Sequence, residues 1–268
     1  MTGKIILITG ASSGFGEACA HHLCSKGHIV YGTSRKPSLA QKPYKMIVMD
    51  VNDDASVTLG IAEIVAREGR LDVVVNNAGV GIAGSVEDTA IEEIKFQFET
   101  NLFGVLRVCH EVLPIMRSQE SGTIINIGSL AGLVGVPFQG AYSASKAALQ
   151  SLTEVLRMEV KPFGIHAVLI EPGDFKTGFT GSRINTKQSL ISSVYRERCD
   201  RAVQIMEEDE RNGLNPIAVA ALVEKIIDHP SPHLRYLIGP TLEVFAVHLR
   251  KAIPAWLFEW IIMKNYKI

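Results

Sequence analysis

The chain has 268 residues, room for one large α/β domain or two small ones, and no Pro/Ser/Gly-rich or charged linker divides it. With 27 basic against 28 acidic residues, the formal net charge of −1 offers no electrostatic footprint for nucleic acid. Four cysteines without CxxC or Cys/His spacing, eight histidines without HExxH, and the lack of any ~18-residue apolar run exclude a readable metal site, disulfide framework or spanning helix.

Residues 4–8 are a short, branched apolar run, read as a buried strand. Nothing before it has the charged region, apolar run and cleavage site of a signal peptide, so the expected setting is a reducing cytoplasm. The run enters Thr9-Gly10-Ala11-Ser12-Ser13-Gly14-Phe15-Gly16 and then a helical stretch, 17–26, that Gly27 can end. Glycines let backbone amides approach a pyrophosphate, and a helix start supplies unpaired N–H groups with positive dipole character. Gly10, Ser12, Ser13, Gly14, Phe15 and Gly16 are therefore candidate dinucleotide contacts. The spacing is GxxxGxG rather than GxGxxG, and a plain strand-to-helix turn is the alternative.

A second strand over 28–33 is followed by Ser34, Arg35 and Lys36. No acid stands there to accept from a ribose 2′-OH, whereas Arg35 can clamp a 2′-phosphate, so NADP(H) is favoured over NAD(H); a solvated basic loop is the alternative. A third strand, 46–49, closes on Asp50 and Val51, a candidate adenine edge, while Asp53 or Asp54 can cap a helix continuing to about residue 67. A fourth strand, 71–75, ends in Asn76-Asn77-Ala78-Gly79. Three βα repeats plus this strand make a right-handed, doubly wound parallel sheet the natural topology.

Thr89 and Glu92 form a capping-box pattern for a long helix whose apolar stripe is Ile94, Phe98, Val105, Val108 and Val112. Asn101 falls within that stripe, and burying an unpaired amide costs ~1–3 kcal/mol, so it should have a partner. Another strand, 123–127, ends at Gly128-Ser129, the sheet edge where ligands bind. Tyr142 and Lys146 follow at a spacing that sets phenol and ammonium on one helical face. A hydroxyl, a phenol and a cation can converge there; a turn serine and a solvated Tyr/Lys pair are the bland alternatives. A further strand, 165–170, closes on Pro172-Gly173, with Phe175, Lys176 and Thr177 beyond.

TGASSGFG, NNAG, the Ser129/Tyr142/Lys146 set and Pro172-Gly173 resemble, in order and spacing, the short-chain dehydrogenase/reductases, over about residues 3–240. The resemblance implies an α/β fold: a single-domain, Rossmann-like, doubly wound seven-stranded parallel sheet with helices on both faces, forming one NADP-binding catalytic domain over 1–268. It implies that Asn77, Ala78, Gly79, Tyr142, Lys146, Pro172, Gly173 and Thr177 join the cofactor contacts, with backbone near Ile170 and Thr177 holding the nicotinamide carboxamide. Lys176 stands where the family usually has a small aliphatic residue. Asn101 is implied to hold a water linking Lys146 to solvent. Homodimers or homotetramers are expected through the helices carrying Asn101 and Tyr142.

For proton exchange near neutrality, a phenol with a free pKa of ~10 should fall toward ~7, which needs about 4 kcal/mol, the order a cation at ~4 Å supplies. Ser129 would then hydrogen-bond the substrate oxygen, Tyr142 would exchange its proton, and hydride would pass between nicotinamide C4 and the substrate carbon. The approach through Val134 and Phe138 carries no charge. With Ser129, Tyr142, Phe175 and Phe179 these are the candidate substrate contacts, for an apolar ketone or alcohol.

Residues 178–213, with a helix expected over about 190–208, are read as a substrate lid. A helix over 217–228 and a strand over 235–238 follow. The extension 241–268 has two amphipathic patches: Leu242, Phe245 and Leu249, then Trp256, Leu257, Trp260 and Ile261. It can pack on its own fold, meet a second subunit or make peripheral membrane contact. It is similar to the tails of family branches that handle steroids, retinoids or long-chain keto lipids. The expected function is an NADP(H)-dependent oxidoreductase interconverting a carbonyl and a secondary alcohol. The alternatives are a non-catalytic NADP-sensing scaffold and a lipid-surface-binding protein.

Overall fold

The computed structural model describes residues 3–36, 41–191 and 193–268. The short apolar runs become strands covered on both faces, as a parallel sheet requires when its own crossover helices are its only shield. β1 (Ile5–Ile8), β2 (Ile29–Ser34), β3 (Lys45–Val48), β4 (Val73–Asn76), β6 (Gly122–Ile127), β7 (Ile165–Pro172) and β9 (Arg235–Ile238) form the seven-stranded sheet. The order is β3-β2-β1-β4-β6-β7-β9, every pairing parallel. β5 (Ile82–Ala83) and β8 (Ile184–Asn185) make a separate parallel pair.

Side-chain alternation along β1 divides the core. Ile5 and Leu7 pack with α2 (Asp54–Glu68), α4 (Gly104–Ser118) and α5 (Gly140–Val160), while Ile6 and Ile8 pack with α1 (Gly14–Ser25) and α9 (Ile217–Asp228). Each such aliphatic side chain contributes roughly 1.5–3 kcal/mol when fully buried. The reversal of strand order between β1 and β4 opens a crevice at the carboxyl ends of the strands. The other helices among the described residues are α3 (Ile91–Phe98), α6 (Phe179–Ser182), α7 (Lys187–Ile191), α8 (Arg196–Asn212), α10 (Thr241–Ala252) and α11 (Ala255–Tyr266).

Several local expectations shift. β4 begins at Val73 rather than at residue 71, because Leu71 exchanges both its backbone hydrogen bonds with the Gln119 side chain, each at 2.9 Å. The capping box sits one residue further on: Ala90 is the N-cap of α3 and its N–H donates to the Glu93 carboxylate at 2.9 Å, while the Thr89 hydroxyl turns back to the Ser85 carbonyl at 2.6 Å. The long helix is also interrupted. Between α3 and α4 lies a wider, π-helical turn, Glu99–Phe103, with Asn101 at its centre and 1% exposed. The expected helix over 190–208 is two helices, α7 and α8; Ser192 between them lies outside the described residues.

Candidate active site

The two turns that follow β1 and β4 are tied together by one hydroxyl. Thr9 Oγ1 accepts the backbone N–H of Asn77 at 2.9 Å and of Ala78 at 3.0 Å. Asn77 Nδ2 donates to the carbonyls of Thr9 (2.9 Å) and Gly10 (3.0 Å), so this side chain shapes the turn rather than facing out of it. Gly10 (φ +66°) and Gly14 (φ +59°) adopt left-handed conformations, and a Cβ on Gly16 would lie 2.4 Å from the Gly10 carbonyl oxygen. Ser12 and Ser13 are exposed, and Ser13 caps α1 without a side-chain hydrogen bond, which leaves helix-start N–H groups for an outside acceptor. A cradle that side chains would fill, with free donors at a helix N-terminus, fits a dinucleotide pyrophosphate.

Beyond β2 the Ser34 hydroxyl donates to the Lys36 carbonyl at 2.8 Å, and Arg35 is exposed, with no ion-pair partner among the described residues. Asp50 is half-buried and accepts from the Asn52 N–H at 3.0 Å; Asp53, not Asp54, caps α2, accepting from Ser56 at 2.9 Å. The Val51 side chain, at 7% exposure, packs in the core against Gly104, which leaves its backbone to meet a ligand. Lys42 was not foreseen. It returns to the cradle, 2.5 Å from the Glu17 carboxylate and 3.5 Å from the Ser12 carbonyl, a meeting that no local pattern announces.

At the end of β6, Ser129 begins a 3-10 turn, its Oγ accepting the Ala131 N–H at 3.1 Å, and its side chain stands close enough to the Tyr142 phenol to favour its ionised form. One turn along α5, Lys146 is buried, donates to the Ile127 carbonyl at 2.8 Å and holds Nζ 5.8 Å from the Tyr142 ring centre. The hydroxyl, phenol and ammonium thus gather at the sheet's carboxyl edge. Asn101 finds the partners its burial demands: Oδ1 accepts from Val80 N at 2.9 Å, and Nδ2 donates to the Val80 carbonyl at 3.0 Å and to Ser145 Oγ at 3.1 Å. Ser145 in turn donates to the Tyr142 carbonyl at 2.8 Å, so Asn101 is linked to the helix that carries the tyrosine.

The electrostatics differ from the simple expectation of a phenol drawn toward neutrality. Burial pushes Tyr142 up to about 12; the Ser129 side chain and the Arg183 charge oppose this, while Glu210 and Asp174 add to it. Burial also brings Lys146 down to about 8, which leaves it mostly protonated at neutral pH but far closer to losing its charge than an ordinary lysine. The protein's own groups therefore hold the phenol protonated.

Phe175, expected at the substrate approach, points into the core instead. It is 3% exposed and its ring meets Phe15 edge-on at 5.0 Å, in the core beneath α1 and α9. Phe179 does reach the site, its ring 5.7 Å from that of Tyr142. Val134 is half-buried in the loop before α5. Phe138 lines a cavity of about 510 Å³ with Val86, Tyr195, Met263 and Ile268, so the chain's end closes one wall of this approach. Beyond Pro172, Gly173 N–H donates to the Ile238 carbonyl at 2.8 Å, and Thr177 lies across from the Gly14 position of the cradle. Lys176 and Thr177 line a second cavity, about 440 Å³, with Thr180 and Glu210. Asp174 and Glu243 form a carboxyl pair in which burial and mutual repulsion raise Asp174 to about 8. Arg183 and Glu210 had escaped the sequence reading, since isolated charges in a weakly periodic segment look like surface.

The family model for short chain dehydrogenase matches residues 4–188. The chain belongs to that family. It is an oxidoreductase whose seven-stranded sheet and helices follow the family's Rossmann-like plan. It is 42% identical to a 3-ketodihydrosphingosine reductase from Bacteroides thetaiotaomicron, over all of both chains. An NADPH-dependent 3-dehydrocapnine reductase from Ornithobacterium rhinotracheale is 31% identical, over 98% of each. Among solved structures, a short-chain dehydrogenase from Streptomyces avermitilis superposes with a TM-score of 0.84 at 33% identity, over 98% of each chain. No helix among the described residues is long and apolar enough to cross a membrane.

Proposed function

We propose that this dehydrogenase is an NADP(H)-dependent enzyme interconverting a carbonyl and a secondary alcohol on a lipid-like substrate. The meeting of Ser129, Tyr142 and Lys146 beside the glycine cradle carries this reading. Gly10, Ser12, Ser13, Gly14, Phe15 and Gly16 would hold the pyrophosphate, largely through backbone; Ser34 and Arg35 would hold the 2′-phosphate, and Asp50 with the Val51 backbone the adenine. Ala78, Gly79, Pro172, Gly173 and Thr177 would flank the nicotinamide, which when bound supplies the hydride. Ser129 donates a hydrogen bond to the substrate oxygen. Tyr142, kept protonated by burial, gives that oxygen its proton. Lys146 anchors below the phenol through Ile127, and Asn101 positions α5 through Ser145. Two relatives named as reductases support the reductive direction, and the name of one supports NADPH.

The exposed tryptophans of the C-terminal extension favour a second, compatible role: residues 241–268 would lie against a lipid surface beside the substrate entrance, and 178–213 would serve as the lid. Exposed Phe103, Val155 and Met158 support self-association as a dimer or tetramer. The central test is Tyr142→Phe. Ketone-dependent NADPH oxidation should fall by ~10²–10⁴-fold, with NADPH binding, read by its own fluorescence, retained. Unchanged turnover would overturn the reading.

A further inference from the structure

The apolar approach is not the whole of the substrate site. Arg183 is 2% exposed at its side chain, lies at the start of the short β5–β8 pair, and is held by an ion pair from Nη2 to Glu210 Oε1. Thr180 donates to the other Glu210 oxygen at 2.5 Å, which fixes the carboxylate from its far side. The guanidinium lies 5.9 Å from the centre of the Phe179 ring, and that ring leans on Tyr142. Gly81 permits this approach, because a Cβ there would come within 2.5 Å of the Phe179 ring. Backbone bonds from Ile184 N to the Gly81 carbonyl (2.9 Å) and from Thr186 N to the Ala83 carbonyl (3.0 Å) pin the segment that carries Arg183.

What remains unexplained is the rest of the guanidinium. Nε and Nη1 are buried and have no hydrogen-bond partner among the described residues. An unmet buried donor costs about 1–3 kcal/mol, more when charged, so such groups are rare unless a ligand meets them. The charges nearby indicate what kind. Glu210 already balances Arg183, so no net positive charge is left to hold a further anion. A neutral oxygen fits both the free donors and the surrounding charge.

We infer that Arg183 determines specificity by donating from Nε and Nη1 to a neutral oxygen, a hydroxyl, carried next to the carbonyl that Tyr142 protonates. The substrate is then an amphiphile with a hydroxylated head at Arg183 and an apolar chain beyond, rather than a plain ketone. This rests on the ketone-reductase reading above.

The test pairs 1-hydroxy-2-dodecanone with 2-dodecanone, using NADPH and the full chain. The wild type should favour the hydroxyketone by about 10- to 100-fold in kcat/KM, the range expected of hydrogen bonds to a charged group. Arg183→Met should bring that ratio toward one, and Arg183→Lys should recover part of it. An equal ratio in wild type and Arg183→Met overturns the inference while leaving the ketone-reductase reading intact. So does an Arg183→Met variant whose NADPH binding weakens with the ratio preserved, which would give the free donors to the cofactor. So does a long-chain ketone with a carboxylate head that outcompetes the hydroxyketone through Arg183. Absence of NADPH oxidation by the wild type with any ketone removes the reading itself, and the inference with it.

Discussion

At the scale of single residues, the site includes groups that are costly to bury, and Lys146 yields a direct prediction. Lys146 has a folded pKa of about 8 against an ordinary value of 10.5. Below pH 8 both folded and unfolded chains carry the proton, and the folded state bears the full penalty of a buried charge. Between pH 8 and 10.5 only the unfolded chain keeps it, so this group makes stability rise with pH in that window. Lys146→Met should therefore abolish turnover yet raise stability by about 1–3 kcal/mol at neutral pH, with the gain vanishing by pH 10.5. Chemical denaturation of both proteins from pH 7 to 10.5 checks this. Arg35 belongs to the same scale. Arg35→Asp should shift preference toward NAD(H) by ~10-fold or more through loss of a charge-assisted phosphate contact; an unaltered NADP/NAD ratio would place the 2′-phosphate elsewhere.

At the scale of elements, the link between β7 and α10 depends on a carboxyl pair. Glu243, in the first turn of α10, accepts the Asp174 N–H at 2.9 Å, and its Oε2 fills the space above Gly173. Asp174 is raised from 3.8 to about 8, so from about pH 4 to pH 8 the folded chain binds more protons than the unfolded one and this group makes stability fall as pH rises. Asp174→Asn can still donate to Glu243 without ionising. Its thermal midpoint should exceed the wild type's by a margin that grows from pH 4 to pH 8; a constant margin would show that the pair does not titrate in this window. The π-helical turn at Asn101 belongs here too. The apolar stripe indicated which face is buried, but the stripe assumed an unbroken helix, and the extra turn exists because Asn101 must meet both backbone groups of Val80.

At the scale of the whole molecule, the chain's end partly returns to the fold and partly faces outward. Val247 and Phe258 are buried, while Trp256 is 69% and Trp260 55% exposed. These are the chain's only two tryptophans, so its tryptophan emission reports this surface alone. Vesicles of anionic phospholipid should shift that emission to the blue and bind the protein, and replacing both residues by serine should weaken binding. Equal sedimentation with vesicles for the two proteins would end the lipid-surface role.

The amino-acid sequence was sufficient for the doubly wound parallel sheet, the glycine turn after its first strand, the burial of Asn101 and the meeting of Ser129, Tyr142 and Lys146 at the sheet edge, because turn geometry, strand burial and helical spacing act over a few neighbouring residues. It failed where distant segments compete for one volume. Phe175 looked like a ligand contact from its place after a strand, yet packing against Phe15 drew its ring into the core. Arg183, Glu210 and Lys42 gave no local signal, since a charge on a polar segment becomes a site residue only when another part of the chain removes its water. Desolvation is a property of the assembled fold; it is the main reason that the phenol stays protonated, and it leaves the guanidinium near Phe179 with two buried donors without partners.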